Sequence, residues 1–470
     1  MKKTITIIAL LVSIFNIRVD AEVKLPAIFS DNLILQQQSK VSIWGWATPN
    51  SSVSISPSWT QKATITTADA QGKWISKITT PKGSETTYTI TISDGKPVVL
   101  KNVIIGEVWI CSGQSNMVWQ VKGYDKEPPV EGASEELSQP VNKNIRLFTV
   151  PRNSESVPQE DCIGAWEEAS PSAVGEFSAT AYFFGKKLYK ELNIPIGLIN
   201  CSYGGSSIET WMTPESLAGY DVKIPAAGEI IESNKRHNTP TGLFNGMLHP
   251  VIGYGIRGAI WYQGESNAGQ PEKYPGLSQK MVAEWRQLWG IGVFPFYYIQ
   301  IAPFSYDKSI NSAFLREAQV KVLDLIPNSG MIVNMDADSP NNIHPPKKKT
   351  PAERLANLAL SKTYHKKGIN TKSLAFKSMK VKGSEVELRF ECAKNTSLTS
   401  NGKELKEFRI AGADKKFYPA NARISGNSIL VSASEVSSPV AVRYAFENTS
   451  PAEVFATDGL PLSSFRTDIW

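Results

Sequence analysis

Residues 103–117 read VIIGEVWICSGQSNM, a hydrophobic run that stops abruptly at a glycine, an amide and a serine. The run has the length and apolarity of a buried strand, and it ends where a helix can begin. A serine at such a break has an exposed hydroxyl with backbone N–H groups close by, which is where a nucleophile is useful.

The texture around this stretch, from about Asn102 to Asn370, alternates strands with helices. IPIGLIN, RGAIWY, FPFYYIQI and GMIVNM read as further strands. Ala181, Phe184, Leu188 and Leu192 share one helical face, as do Leu277, Met281, Trp285 and Leu288. Such alternation implies parallel pairing through βαβ crossovers, giving a three-layer α/β domain whose ligands sit at the carboxyl ends of the strands. Three strands end in unusual loops: GQSN at 113–116, SYGGSS at 202–207 and QGESN at 263–267. Met117 stands where the second glycine of a G-x-S-x-G elbow would be, which argues against an α/β-hydrolase proper.

The flanks differ. Residues 22–101 carry short alternating runs such as VSIWGWA and YTITI between turn pairs, the pattern of an antiparallel β-sandwich module. Residues 371–470 return to β texture, with Val386, Leu388 and Phe390 alternating and Asn401-Gly402 marking a hairpin. The hydrolase-like part is 102–370. Residues 1–21 place Lys2 and Lys3 before an apolar stretch too short to span a bilayer, ending in Val19-Asp20-Ala21. This reads as a cleaved secretory signal and predicts a secreted or periplasmic protein with no membrane span.

Of 470 residues, 50 are Lys or Arg and 44 Asp or Glu, and without the leader the excess is near +4. That balance favours no acidic partner, and Lys347-Lys348-Lys349 reads as a solvated loop, not a nucleic-acid patch. Cys111, Cys162, Cys201 and Cys392 lie far apart with no metal or redox spacing; Cys111 and Cys201 read as buried small hydrophobes. Oligomeric state and disulfide pairing are not legible.

Ester cleavage by serine needs a hydroxyl, a base and N–H donors for the oxyanion. Ser115 would attack, and its own N–H, that of Gly204 or Gly205, and the side-chain amide of Gln263 would hold the oxygen. Among four histidines, His237 and His365 lie in polar segments and read as surface residues, and His249 as structural. His344, in NNIHPP, follows the GMIVNM strand and precedes a helix announced by Thr350, Pro351 and Glu353, so it belongs to the carboxyl-end rim. Gln114, Asn116, Glu265 and Trp211 are candidates for substrate contact, and Glu209 for the pocket lining. Trp119, Trp211 and Trp261 suit either sugar stacking or the core. Arg316 and Glu317 read as a surface pair or a buttress.

GEVWICSGQSNM, GLINCSYGGSSIETW, GAIWYQGESN and the IHP triplet resemble the blocks of the sialate O-acetylesterase family, within the SGNH-type hydrolases. LPAIFSDNLILQQ, FNGM and GLPLSSFRTD are similar to that family too. The resemblance implies a flavodoxin-like SGNH domain flanked by β modules, acting on O-acetylated carbohydrate without metal or cofactor. It makes Ser115 the nucleophile and His344 the base, with Gly205 preferred over Gly204 in the oxyanion hole. Sialic acid, acetylated xylan and other polysaccharides are the substrate alternatives. The family pattern has Asp-Ile-His where this chain has Asn342-Ile343-His344. In an extended segment, residues i and i+2 face the same side, so Asn342 is expected to orient the imidazole without supplying charge. Asparagine fills that role in papain-like enzymes. Asp336, Asp338 and Glu265 are the carboxylates that could stand in for the missing aspartate, and a weakened or inactive glycan-binding homologue is the other expectation.

Overall fold

A computed structural model describes residues 22–470; the leader at 1–21 lies outside them. The parallel part of the central sheet is built from β1 (Pro97–Gly113), β2 (Asn142–Thr149), β3 (Ile196–Ser202), β4 (Gly258–Tyr262), β5 (Phe296–Ile299) and β6 (Ser329–Ile332), in the order β6-β5-β4-β1-β3-β2, and Glu167–Ala169 adds an antiparallel edge strand outside β2. Inside β2, the five strands from β6 to β3 follow the doubly wound order of flavodoxin-like sheets, with the switch point at β1. Val108, Trp109, Ile110 and Cys111 are all fully buried, as covered parallel strands require.

Helices α1 (Ser115–Val118), α2 (Ala179–Leu192), α3 (Tyr274–Trp289), α4 (Ala313–Leu325) and α5 (Lys349–Lys362) complete the part used below. Ser178 caps α2 by accepting from Ala181 N–H at 3.1 Å, and Phe184 and Leu188 are buried as the periodicity predicted. On α3 the apolar face runs to Trp289, 5 % exposed, in place of Leu288, 41 % exposed. Strand β2 had no clear apolar signature, because Arg146 interrupts it. That side chain is nonetheless buried, donating to the carbonyls of Lys143 and Asn32 and pairing with Glu168 at 3.4 Å.

Strand β1 is shared between two parts of the molecule. Its first half pairs antiparallel with Ser84–Ser93, and Ile104 to Gly106 pair in parallel with Ile34 to Gln36. Its second half is the middle of the central sheet. The 101/102 boundary therefore falls inside one unbroken strand. At the other end, 375–382, 385–391, 428–432 and 421–425 form one antiparallel sheet, and 417–419, 408–411, 441–444 and 465–466 another. Asn401 and Gly402 do turn, at φ 53° and 77°. They do not make a hairpin, since Leu398–Thr399 pairs with Phe455–Ala456 instead.

The tail GLPLSSFRTD is explained by packing on α4. Arg316 is fully buried and donates to Ser464 Oγ at 3.1 Å and Glu447 O at 2.6 Å, while Glu317 pairs with Arg466 at 3.2 Å. Both are buttresses that tie the C-terminal sheets to the hydrolase domain.

Candidate active site

The three motif loops leave the sheet at one level, because Gly113 is in register with Ser202 on one side and Tyr262 on the other. Gly113 has φ 134°, and a Cβ there would lie 2.2 Å from the Tyr262 carbonyl oxygen; only glycine permits that approach. Gln114 is extended, its N–H bonded to that same carbonyl at 2.9 Å, and the chain then turns at once into α1. Met117 fills a buried slot against Ser178, whose hydroxyl points at its sulfur at 3.7 Å. The position is a packing site and has no need of glycine.

Ser115 opens α1, partly exposed, and its hydroxyl has no hydrogen-bond partner among the described residues. The N–H groups of Ser115, Gly204 and Gly205 likewise meet no protein acceptor there. A Cβ built on Gly204 would lie 3.7 Å from Ser115 Cβ, whereas one on Gly205, at φ 74°, would meet His237 Cδ2 at 3.2 Å. Gly204 is thus the glycine seen against the serine. His237 stands beside this loop, contrary to its reading as a remote surface residue. With the Asn238 amide oriented to satisfy both its atoms, Asn238 accepts from His237 Nε2 at 3.0 Å and donates to Gly205 O at 3.1 Å. The charged segment NKRHN gave no sign of folding back onto the glycine loop.

Gln263 does not present its amide to this point. It is fully buried and donates to Ser206 O at 3.1 Å and Asn267 Oδ1 at 2.7 Å, with Tyr274 donating to its oxygen at 3.0 Å. Both amide hydrogens are spent on bracing the second loop against the third. The substrate-contact expectations need the same correction. Gln114, 2 % exposed, accepts from the N–H groups of Gly264 and Ser266. Trp211 is wholly buried, bonded to Ser206 Oγ at 3.0 Å and packed edge-on against Trp261. Glu209 does line a cavity of about 320 Å³ beside the second loop, with Ser207, Asn238, Ser266, Asn267 and Gln270.

Asn116 and Glu265 are buried because they hold the His344 loop to the helix that Ser115 opens. Asn116 Nδ2 donates to Glu265 Oε1 at 2.6 Å and to Ile343 O at 3.0 Å, and its Oδ1 accepts from Lys348 Nζ. Lys348 is 1 % exposed and lies 5.6 Å from the Trp119 ring centre, so the lysine run is not a solvated loop. Lys347 pairs with Asp338, and α5 begins at Lys349 with no side-chain cap, one residue before Thr350. Burial pushes Lys348 down to about 7 against the pull of Glu265, and burial raises Glu265.

The His344 ring packs on Trp119 with centres 4.3 Å apart and planes tilted by 30°, which places Trp119 in the site as the support of the imidazole. Among the described residues no hydrogen bond reaches either ring nitrogen. Asn342 does not orient the ring: its Oδ1 accepts from the His344 backbone N–H at 2.8 Å, and its Nδ2 donates to Glu127 Oε2 at 3.1 Å. Of the proposed substitute carboxylates, Asp336 is engaged by Arg354 at 2.7 Å, Asp338 by Lys347 and Glu265 by Asn116. The carboxylate that acts on His344 is Glu127, in a loop without any motif. His249 bonds Gln159 O at 2.7 Å and His365 is exposed, as expected.

Burial first, then Lys348, lower His344 to about 4, with Glu127 opposing. The folded value lies below the ordinary 6.5, so the native state binds fewer protons between these limits, and stability falls as pH drops from 6.5 toward 4. The free base persists over the same range. We expect kcat/KM on an uncharged acetate ester to stay level down to about pH 4.5; a limb centred near 6.5 would contradict this environment for the imidazole. Asn342→Asp would set a second carboxylate against Glu127 where an amide now donates. Like charges in contact cost about 1–4 kcal/mol, so we expect turnover to fall by roughly tenfold or more, where a defective amide would predict a rise.

The profile of the family described as carbohydrate esterase, sialic acid-specific acetylesterase, matches residues 105–361. A crystal structure of a carbohydrate acetylesterase from Xanthomonas citri superposes with a TM-score of 0.86 at 32 % identity, covering 95 % of this chain and all of that one. The sialate O-acetylesterase of Homo sapiens is 28 % identical over 391 residues, 72 % of this chain and 71 % of that protein. The sialate O-acetylesterase of Rattus norvegicus is 27 % identical over 417 residues, 73 % and 74 % of the two chains. With more than half its length matched, the chain belongs to the sialic acid-specific acetylesterase family of carbohydrate esterases and is a carboxylic ester hydrolase.

Proposed function

We propose that the protein removes acetyl groups from O-acetylated sugars through an acetyl-enzyme on Ser115, with O-acetylated sialic acid as the foremost substrate. The observation that carries this is the unspent hydroxyl of Ser115 among unspent N–H groups of its own residue and the glycine loop.

His344 takes the Ser115 proton as the oxygen bonds to the acetyl carbon, and the carbonyl becomes an oxyanion. The N–H groups of Ser115 and Gly204, with Gly205 next in line, receive that charge; one well-aimed donor is worth about 3–4 kcal/mol. Collapse breaks the bond to the sugar oxygen, which leaves with the proton from His344. Water, deprotonated by the same imidazole, then releases acetate and restores the serine. The Trp119 face holds the ring in place of a carboxylate, and Glu127 stabilises the imidazolium that forms.

A fluorophosphonate probe tests the nucleophile directly. Peptide mapping should find the probe on Ser115 alone, with acetate release lost in proportion to labelling. Modification elsewhere, or full labelling with activity intact, would end this assignment.

A further inference from the structure

Arg152 sits at the mouth of this site with its charge unspent. Its guanidinium lies over the Tyr203 ring, 5.5 Å from the centre, and Tyr203 directly precedes Gly204, the residue against Ser115. On its other side it lies by the Tyr124 hydroxyl: burial raises that phenol and the Arg152 charge pulls it back down. Tyr124 packs edge-on against Trp119 at 4.7 Å, and Trp119 carries the His344 ring. Arg152 is therefore bracketed by one tyrosine on the nucleophile's side of the cleft and one on the base's side.

Its hydrogen-bond partner is the neutral Tyr124 hydroxyl, and no carboxylate among the described residues neutralises it. Among the described residues, every arginine other than Arg152 and Arg236 pairs with a carboxylate or donates to backbone carbonyls. Lys122, also near Tyr124, is neutralised by Glu176 at 2.5 Å. The carboxylate on the same wall, Glu127, accepts from Asn342. Arg152 is exposed, so nothing in the fold requires its charge. A guanidinium carries five N–H donors, so one held beside two tyrosines still has donors to offer a carboxylate in a parallel pair.

Resting on the acetylesterase reading above, we infer that Arg152 anchors a carboxylate of the substrate, so that the acetylated sugar is acidic, a sialic or uronic acid, and not a neutral sugar such as xylose. The acetyl group enters between Ser115 and His344 while the carboxylate meets Arg152, and the faces of Tyr203 and Tyr124 flank the ring. Arg152 acts on specificity, and no bond is made or broken at it.

The experiment compares wild type and Arg152→Gln on O-acetylated sialic acid, O-acetylated oligogalacturonate, O-acetylated xylo-oligosaccharide and 4-nitrophenyl acetate. A hydrogen-bonded charge of this kind supports a fall of about 30-fold in the ratio of kcat/KM on the acidic sugar to that on the neutral one. The two acidic sugars identify which parent the anchor serves. Methyl-esterifying the sialic acid carboxylate removes the same interaction from the substrate: wild type should lose a similar factor, and Arg152→Gln little more. This second arm does not depend on how the variant folds. A ratio that moves less than threefold, or a methyl ester cleaved as fast as the free acid by wild type, overturns the anchor while leaving the esterase reading intact. If wild type releases acetate from none of the four, the esterase reading itself falls, and the anchor with it.

Discussion

Ser115→Ala protein should release acetate about 10⁶-fold more slowly than wild type, the order of loss seen when the nucleophilic serine of a serine protease is removed. What survives should be the slow reaction supported by binding and the remaining N–H donors. The same substitution should leave stability within about 0.5 kcal/mol, the usual range for a change that severs no buried contact. The reason is structural: the Ser115 hydroxyl bonds to nothing among the described residues, and its residue's partners are backbone atoms that alanine retains. Calorimetry and acetate assays on one preparation check both halves. A rate within tenfold of wild type would remove Ser115 from the chemistry, and a large drop in melting temperature would mean that its hydroxyl has a role in folding that the structure lacks.

Asn116→Ala should have the largest effect on stability, although the residue touches no solvent. Asn116 stands between a buried ammonium and a buried carboxylate, and bonds to both. Truncating it leaves Lys348 and Glu265 facing each other across a gap too small for bulk water. Breaking a buried charged pair from one side costs about 3–5 kcal/mol, and the Ile343 carbonyl loses its tether as well. The pH dependence identifies the cause. Lys348 is held down to about 7, so above that pH it sheds the charge that makes isolation costly, and the destabilisation measured in urea should be smaller at pH 9 than at pH 6. A loss below about 1 kcal/mol at pH 6, or one that grows with pH, would show that this network does not carry its charge buried. Activity should fall more steeply than stability, since the tether sets where His344 stands.

The α/β core and the three loops were legible because they follow from local rules. Apolar runs of strand length, separated by helical periodicity, dictate parallel pairing, and parallel pairing in register brings the ends of β1, β3 and β4 to one level. The meeting of Ser115 with the glycine loop was legible for the same reason. The partnerships were not. Asn116 meets Ile343 and Lys348 across more than 220 residues, and nothing in either segment announces the other. Gln263, Gln114 and Trp211 have the chemistry of ligand contacts, yet their polar atoms are spent on bracing loops. Burial decides between those uses, and burial belongs to the assembled fold. Lys348 shows the reverse error: a lysine run reads as solvated, but one member supplies the cation that Asn116 and Glu265 require. Glu127 and His237 escaped notice because they arrive on irregular segments with no periodicity to place them.

The long strand Pro97–Gly113 gives the N-terminal module a standing that an appended module would lack. Hydrogen bonds to Ser84–Ser93 hold one end of it, and Ser115 lies two residues beyond the other. A deletion at residue 101 would cut the beam from which Ser115 is cantilevered. Evolution could trade loops at the rim freely, but exchange of this module as a cassette would demand that its replacement continue the same beam in register.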